Sequence, residues 1–114
     1  MGSMMTKQEI ANYTLHFGKL AADIAFEQKG TKLFVLSSRY AGDLIEQAGY
    51  IQALAQEAET LDRLDQGAVD DFDANWRMAV NWWDQTSIGF MQAQDAHTVR
   101  RIQIEMEGYS LDHA

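Results

Sequence analysis

The sequence predicts an all-α fold, three long antiparallel helices plus a C-terminal segment in a small helical bundle, and two observations carry that expectation. The chain of 114 residues contains no proline, and its fifteen alanines and ten glutamines stand against only four valines. Such a mixture loses little side-chain freedom in a helix and holds nothing that breaks the hydrogen-bond ladder. Apolar residues also recur at intervals of three and four through most of the chain, the spacing of one helical face. Met1, Gly2 and Ser3 read as a cloning remnant with the natural start at Met4 or Met5, so 1–3 are set aside and 4–114 are read as one helical domain.

The first helix is announced by "TKQE" at Thr6 to Glu9, a capping box in which the Thr6 hydroxyl and the Glu9 carboxylate each accept from the other residue's amide. Ile10, Tyr13, Phe17, Leu20 and Ile24 form its apolar stripe, and Gly30 is placed to stop it, so the helix is set at about 7–28. From Thr31 a second stripe runs Leu33, Ser37, Tyr40, Leu44, Gln47, Ile51, Leu54, Ala58 and Leu61. Its heptad period points to packing along a helix seam over about 33 residues, a rod of roughly 50 Å. Gly42 and Gly49 interrupt this helix at a cost of about 1 kcal/mol each relative to alanine, which predicts either a kink or the close approach of another backbone.

After a turn around Asp65 to Gly67, a third helix carries Val69, Phe72, Trp76, Ala79, Val80, Trp83, Ser87 and Phe90 on one face. The phase is lost near Gln94 to His97. Beyond it, Val99, Ile102, Met106 and Tyr109 make a helical stripe, yet Ile102, Ile104 and Met106 also alternate with polar residues as a strand would. Helix is preferred on composition; the alternative is an α+β domain with a two-stranded element at about 32–36 and 101–107.

All three tryptophans fall within "WRMAVNWW", Trp76 to Trp83. At about 100° per residue, Trp76 and Trp83 share the stripe of Phe72 and Phe90 and are core candidates. Trp82 lies about 100° from Trp83, beside Met78, Gly89 and Ala93. A bundle helix with two neighbours can bury that side too. Alternatively Trp82 and Met78 are an apolar anchor for a partner or a second copy, with Gly89 leaving room for an incoming side chain. Leu15 and Phe26 in helix one, and Phe34, Val35, Ile45 and Ala53 beside the two glycines of helix two, are likewise off their stripes. That is more apolar surface than three amphipathic helices need, so the fourth segment or a second chain should cover it.

Charge narrows the function classes. The net charge of −8 opposes direct binding to nucleic acid or to acidic membrane surfaces, and a partner guided by charge should be a protein with a basic face. Seven acids, Glu57, Glu59, Asp62, Asp65, Asp70, Asp71 and Asp73, stand against one base, Arg63, in the segment joining helices two and three. They should gather with Glu9 at one end of the bundle, with Lys29, Lys32 and Arg39 at the other. Asp70, Asp71 and Asp73 are explained by the positive helix N-terminus; Glu57, Glu59, Asp62 and Asp65 crowd a C-terminal end that disfavours them.

No constellation for catalysis, cofactor or metal stands out. His16, His97 and His113 lack helical ligand spacing, "DDFD" lacks the calcium-loop pattern, "GTK" is no phosphate loop, and no serine sits in a nucleophile elbow. The absence of cysteine fits a reducing cytoplasm, and no apolar run approaches the ~20 residues that span a bilayer. The expectation is a non-enzymatic, acidic inhibitor or regulator that docks on a nucleic-acid-handling protein, with no cofactor and no membrane contact. In size and charge the chain is similar to the small phage-encoded anti-CRISPR and DNA-mimic proteins, a resemblance of type that implies the same mode of action. The alternative is a structural or adaptor module, such as a helical homodimer subunit.

Overall fold

The computed structural model describes residues 5–113 and has four helices: α1 (Lys7–Glu27), α2 (Phe34–Thr60), α3 (Gln66–Gln92) and α4 (Ala96–His113). Residues 1–3, read as a remnant, lie outside the described residues. The all-α reading holds. The strand alternative does not, because Phe34–Leu36 open α2 and residues 101–107 lie inside α4.

The Thr6–Glu9 capping box forms as its chemistry requires: the Glu9 amide donates to Thr6 Oγ1 at 3.1 Å, and the Thr6 amide donates to Glu9 Oε1 at 3.2 Å. At the other end of α1 the chain reverses through Gly30, whose φ of +88° suits a residue without a Cβ. Thr31 closes that turn by donating its hydroxyl to the Gln28 carbonyl, so α2 starts at Phe34, later than expected, and its 27 residues span about 40 Å. The heptad stripe is the buried face of α2: Ser37, Leu44, Gln47, Ile51, Leu54 and Ala58 are buried, with Tyr40 and Leu61 half-buried.

α1 and α2 run antiparallel and close together. A Cβ on Gly18 would come within 3.0 Å of the Ile45 side chain and 3.4 Å of its Cα, so the missing side chain sets the spacing of the pair. α3 returns antiparallel to α2, in a register fixed by two hydrogen bonds: Gln47 Nε2 donates to Thr86 Oγ1 at 2.9 Å, and Gln94 Nε2 donates to Ser37 Oγ at 3.0 Å. α1 and α3 meet through rings. Trp83 sits edge-on to Phe17 and Tyr13, and Phe17 edge-on to Phe90, the offset geometry that aromatic quadrupoles favour.

Asp95 precedes the first residue of α4, and its carboxylate accepts from the Thr98 amide at 2.7 Å. It lies across the α1 side of the bundle, held by the Arg101–Glu27 ion pair at 2.8 Å and by Tyr109 stacked on His16. Ile102 and Met106 bury inward while Ile104 points out, which is why the alternating pattern there misleads. The result is a flat body of 53 × 31 × 17 Å, and the outward side of α2 is left uncovered.

Candidate functional site

The acids do collect at one end. α1 starts where α2 finishes, with Thr6, Lys7 and Gln8 beside Ala58, Glu59 and Arg63. The Lys7 ammonium lies 5.9 Å and 5.5 Å from the ring centres of Phe72 and Trp76, which brings the start of α3 to the same place. Lys29 and Lys32 occupy the opposite turn, with Arg39 in the second turn of α2, as expected. Arg100 and Arg101 of α4 join them, because Gln28 donates to Gln94 at 2.6 Å and so ties the α1–α2 corner to the α3–α4 corner.

Glu57, Glu59, Asp62, Asp65, Asp70, Asp71 and Asp73 are all exposed, and none makes an ion pair among the described residues. Their local roles reverse the expectation from sequence. α3 starts at Gln66, four residues before Asp70, and Asp65 is its N-cap, accepting from the Ala68 amide at 3.1 Å. Asp62 accepts from the Leu64 amide at 3.0 Å and shapes the turn. These two, expected to lack a structural reason, have one. Asp70, Asp71 and Asp73 lie beyond the first turn, where the helix dipole has largely faded, so it no longer accounts for them. Asp70 accepts from Gln66 at 2.8 Å. Glu57, Glu59, Asp71 and Asp73 are left as carboxylates with no architectural task.

The tryptophans separate. Trp83 is 7% exposed and Trp76 half-buried, whereas Trp82 is 54% and Met78 70% exposed. Trp82 is therefore surface, because α4 covers the α1 side of the bundle and not the outer α2–α3 seam. The space beside Gly89 is not free for a partner: Tyr40 of the same chain fills it, its ring 3.0 Å from where a Cβ would stand. The α2–α3 register sets Tyr50, itself exposed, level with Trp82 across the seam. On α3 the helical spacing puts Asp71, Met78 and Trp82 on one line, so the apolar strip runs into the acidic end.

One residue of this end has no periodic signal in the sequence. Leu64, at the apex of the α2–α3 turn between Asp62 and Asp65, is 95% exposed. A leucine alone in a run of charged turn residues was the only clue.

Among the described residues no group of three or more His, Asp or Glu is placed to hold a metal ion, and no helix is long and apolar enough to cross a membrane. His97 is an exposed first-turn residue of α4. The open pocket under α4, between Tyr13, Phe17 and Met91 on one wall and Ile102, Gln103, Met106, Glu107 and Ser110 on the other, is mostly apolar. Comparison with protein-family models, curated proteins and solved structures finds no match.

Proposed function

We propose that the protein is a non-enzymatic binding protein of the cytoplasm, an acidic inhibitor or regulator of the anti-CRISPR or DNA-mimic type, which docks on the basic surface of a nucleic-acid-handling protein. The observation that supports it best is the set of exposed carboxylates at one end without ion-pair partners, four of which do nothing for the fold. Carboxylates held on helix ends and freed of internal partners keep their full attraction for a cationic groove, as phosphates do. Leu64 at the tip and the Met78–Trp82 strip beside it supply apolar contacts that lengthen the life of such a complex.

The test starts with partners recovered from a host lysate and continues with titrations of the purified partner. Binding should weaken and slow as salt rises, and duplex DNA should compete. Reversing Glu57, Glu59, Asp71 and Asp73 to lysine should abolish binding with the helical content intact, since none of the four caps a helix or shapes the turn. A partner indifferent to salt, to DNA and to the fourfold reversal removes this reading.

A second reading is a structural or adaptor module that buries its spare apolar faces in an assembly. Val35, Ile45, Tyr50, Met78 and Trp82, all exposed on or beside the outer side of α2, favour it.

A further inference from the structure

The side of α2 that faces away from the bundle has no neighbour among the described residues. Val35, Ser38, Gly42, Glu46, Gly49 and Ala53 are exposed along it. α2 runs unbroken through both glycines, and Cβ atoms built on them would meet nothing within 4 Å. Neither a kink nor an in-chain backbone therefore explains two residues that weaken a helix. Alongside, Phe26, Phe34 and Ile45 line an open groove of about 370 Å³ between α1 and α2.

We propose that this face is an interface between two copies of the chain, their α2 helices packed antiparallel about a two-fold axis passing between Ile45 and Glu46. This rests on the second reading above, that the spare apolar surface is buried in an assembly, and gives that assembly a geometry. An isologous contact must be self-complementary: what lies on one side of the axis has to fit what lies on the other.

Charge meets that condition. Lys29, Lys32 and Arg39 come before the midpoint of α2, and Glu57, Glu59 and Asp62 come after it. Antiparallel pairing sets each group against its opposite, and parallel pairing would stack like on like. Arg39 and Glu57 lie on the same edge of the exposed face, and side chains on a helix lean toward its N-terminus. In the antiparallel pair that lean brings the Arg39 guanidinium and the partner's Glu57 toward each other, twice by symmetry. Shape meets it too. Ser38, Gly42, Gly49 and Ala53 are spaced symmetrically about the same midpoint, so Gly42 faces the partner's Gly49 and Ser38 the partner's Ala53. The helices can then approach closely, while Phe26 and Phe34 at one end of the groove lie toward the small residues of the other copy. Glu46 works against the pairing, since it stands beside the axis close to its own copy. Glu57, Glu59 and Asp62 are shared with the acidic docking surface, while the tips carrying Asp65 to Asp73 stay open at both ends of the dimer.

Light scattering across a concentration series reads the outcome on the isolated protein, without any other partner. The protomer mass is 12.9 kDa, and the measured mass should climb toward twice that value. A constant protomer mass up to millimolar protein overturns both the geometry and self-assembly itself, and leaves the acidic-inhibitor reading standing. Arg39→Glu and Glu57→Arg should each weaken the dimer about tenfold, the double exchange should restore it, and Glu46→Gln should tighten it. These positions are exposed, so folding is not at stake. A dimer that ignores the exchange overturns the geometry alone. The chain has no cysteine, so Glu46→Cys places the only two thiols of a dimer beside the axis. Mild oxidation should cross-link it, while Gln103→Cys, exposed on α4, should stay unlinked; equal linkage at both sites also overturns the arrangement.

Discussion

Two adjacent tryptophans should respond to truncation in very different ways. Trp83→Ala removes a ring that is 7% exposed and meets Phe17 and Tyr13 edge-on at centroid distances of 5.3 and 6.2 Å. Emptying such a site costs about 3–5 kcal/mol, edge contacts included. At roughly 4 °C per kcal/mol for a domain of this size, Tm should fall by about 12–20 °C. Trp82→Ala removes a ring that is 54% exposed. The lost contact is offset by alanine's better helix propensity, about 0.5 kcal/mol, so the net cost should be about 1 kcal/mol or less. Urea unfolding followed by far-ultraviolet circular dichroism is the suitable assay, because fluorescence would change with the deletion itself. Equal losses in the two variants would refute the division of the rings into core and surface, and with it the claim of Trp82 as an exposed anchor.

The glycines should divide in the same way. Gly42→Ala and Gly49→Ala place a methyl group in open space and should each raise the stability of the monomer by about 0.5–1 kcal/mol, whereas Gly89→Ala drives a Cβ against the Tyr40 ring and should cost about 1–3 kcal/mol in the same denaturant assay. Asp65→Ala removes the N-cap of α3 and should cost about 1 kcal/mol, while Asp71→Ala should be near neutral in thermal melts. Acid should loosen α4 first. The Thr98 amide holds the Asp95 carboxyl below the usual carboxylate range, and the hydrogen bond from Arg101 does the same for Glu27. Both folded values are depressed, so their contribution is complete above the unfolded carboxylate pKa of about 4 and is lost as pH falls through the depressed values. Amide exchange should show α4 losing protection before α1, α2 and α3 on acidification; uniform loss would count against that sign.

What could be read from the sequence was local. The capping box at Thr6 and Glu9 needs only four consecutive residues, and it placed the start of α1 where the structure has it. The stripes of α1, α2 and α3 needed only a period. Helix starts after turns were harder: Thr31 looked helical by phase but serves the Gly30 turn, and Asp65 looked like the end of α2 but caps α3, which moved the meaning of every acid around it. The Ile102–Ile104–Met106 alternation was ambiguous because a helix with an exposed isoleucine imitates a strand over so few residues. Tertiary facts lay beyond reach. That Tyr40 occupies the space at Gly89, that α4 covers the α1 side and leaves Trp82 bare, and that Leu64 stands clear of the turn all depend on where distant segments pack.

Within one protomer, Lys29, Lys32, Arg39 and Arg100 lie toward one end and the unpaired acids at the other, an asymmetry that the net charge of −8 conceals. A body of that kind feels a torque as well as a pull in an external field. Near a basic surface it turns its acidic tip forward before any atoms touch, so fewer encounters are wasted on wrong orientations. Near a polyanion the torque has the opposite sense and presents the arginines first. Two surfaces of the same partner, one basic and one lined with nucleic acid, would therefore meet opposite ends of this protein.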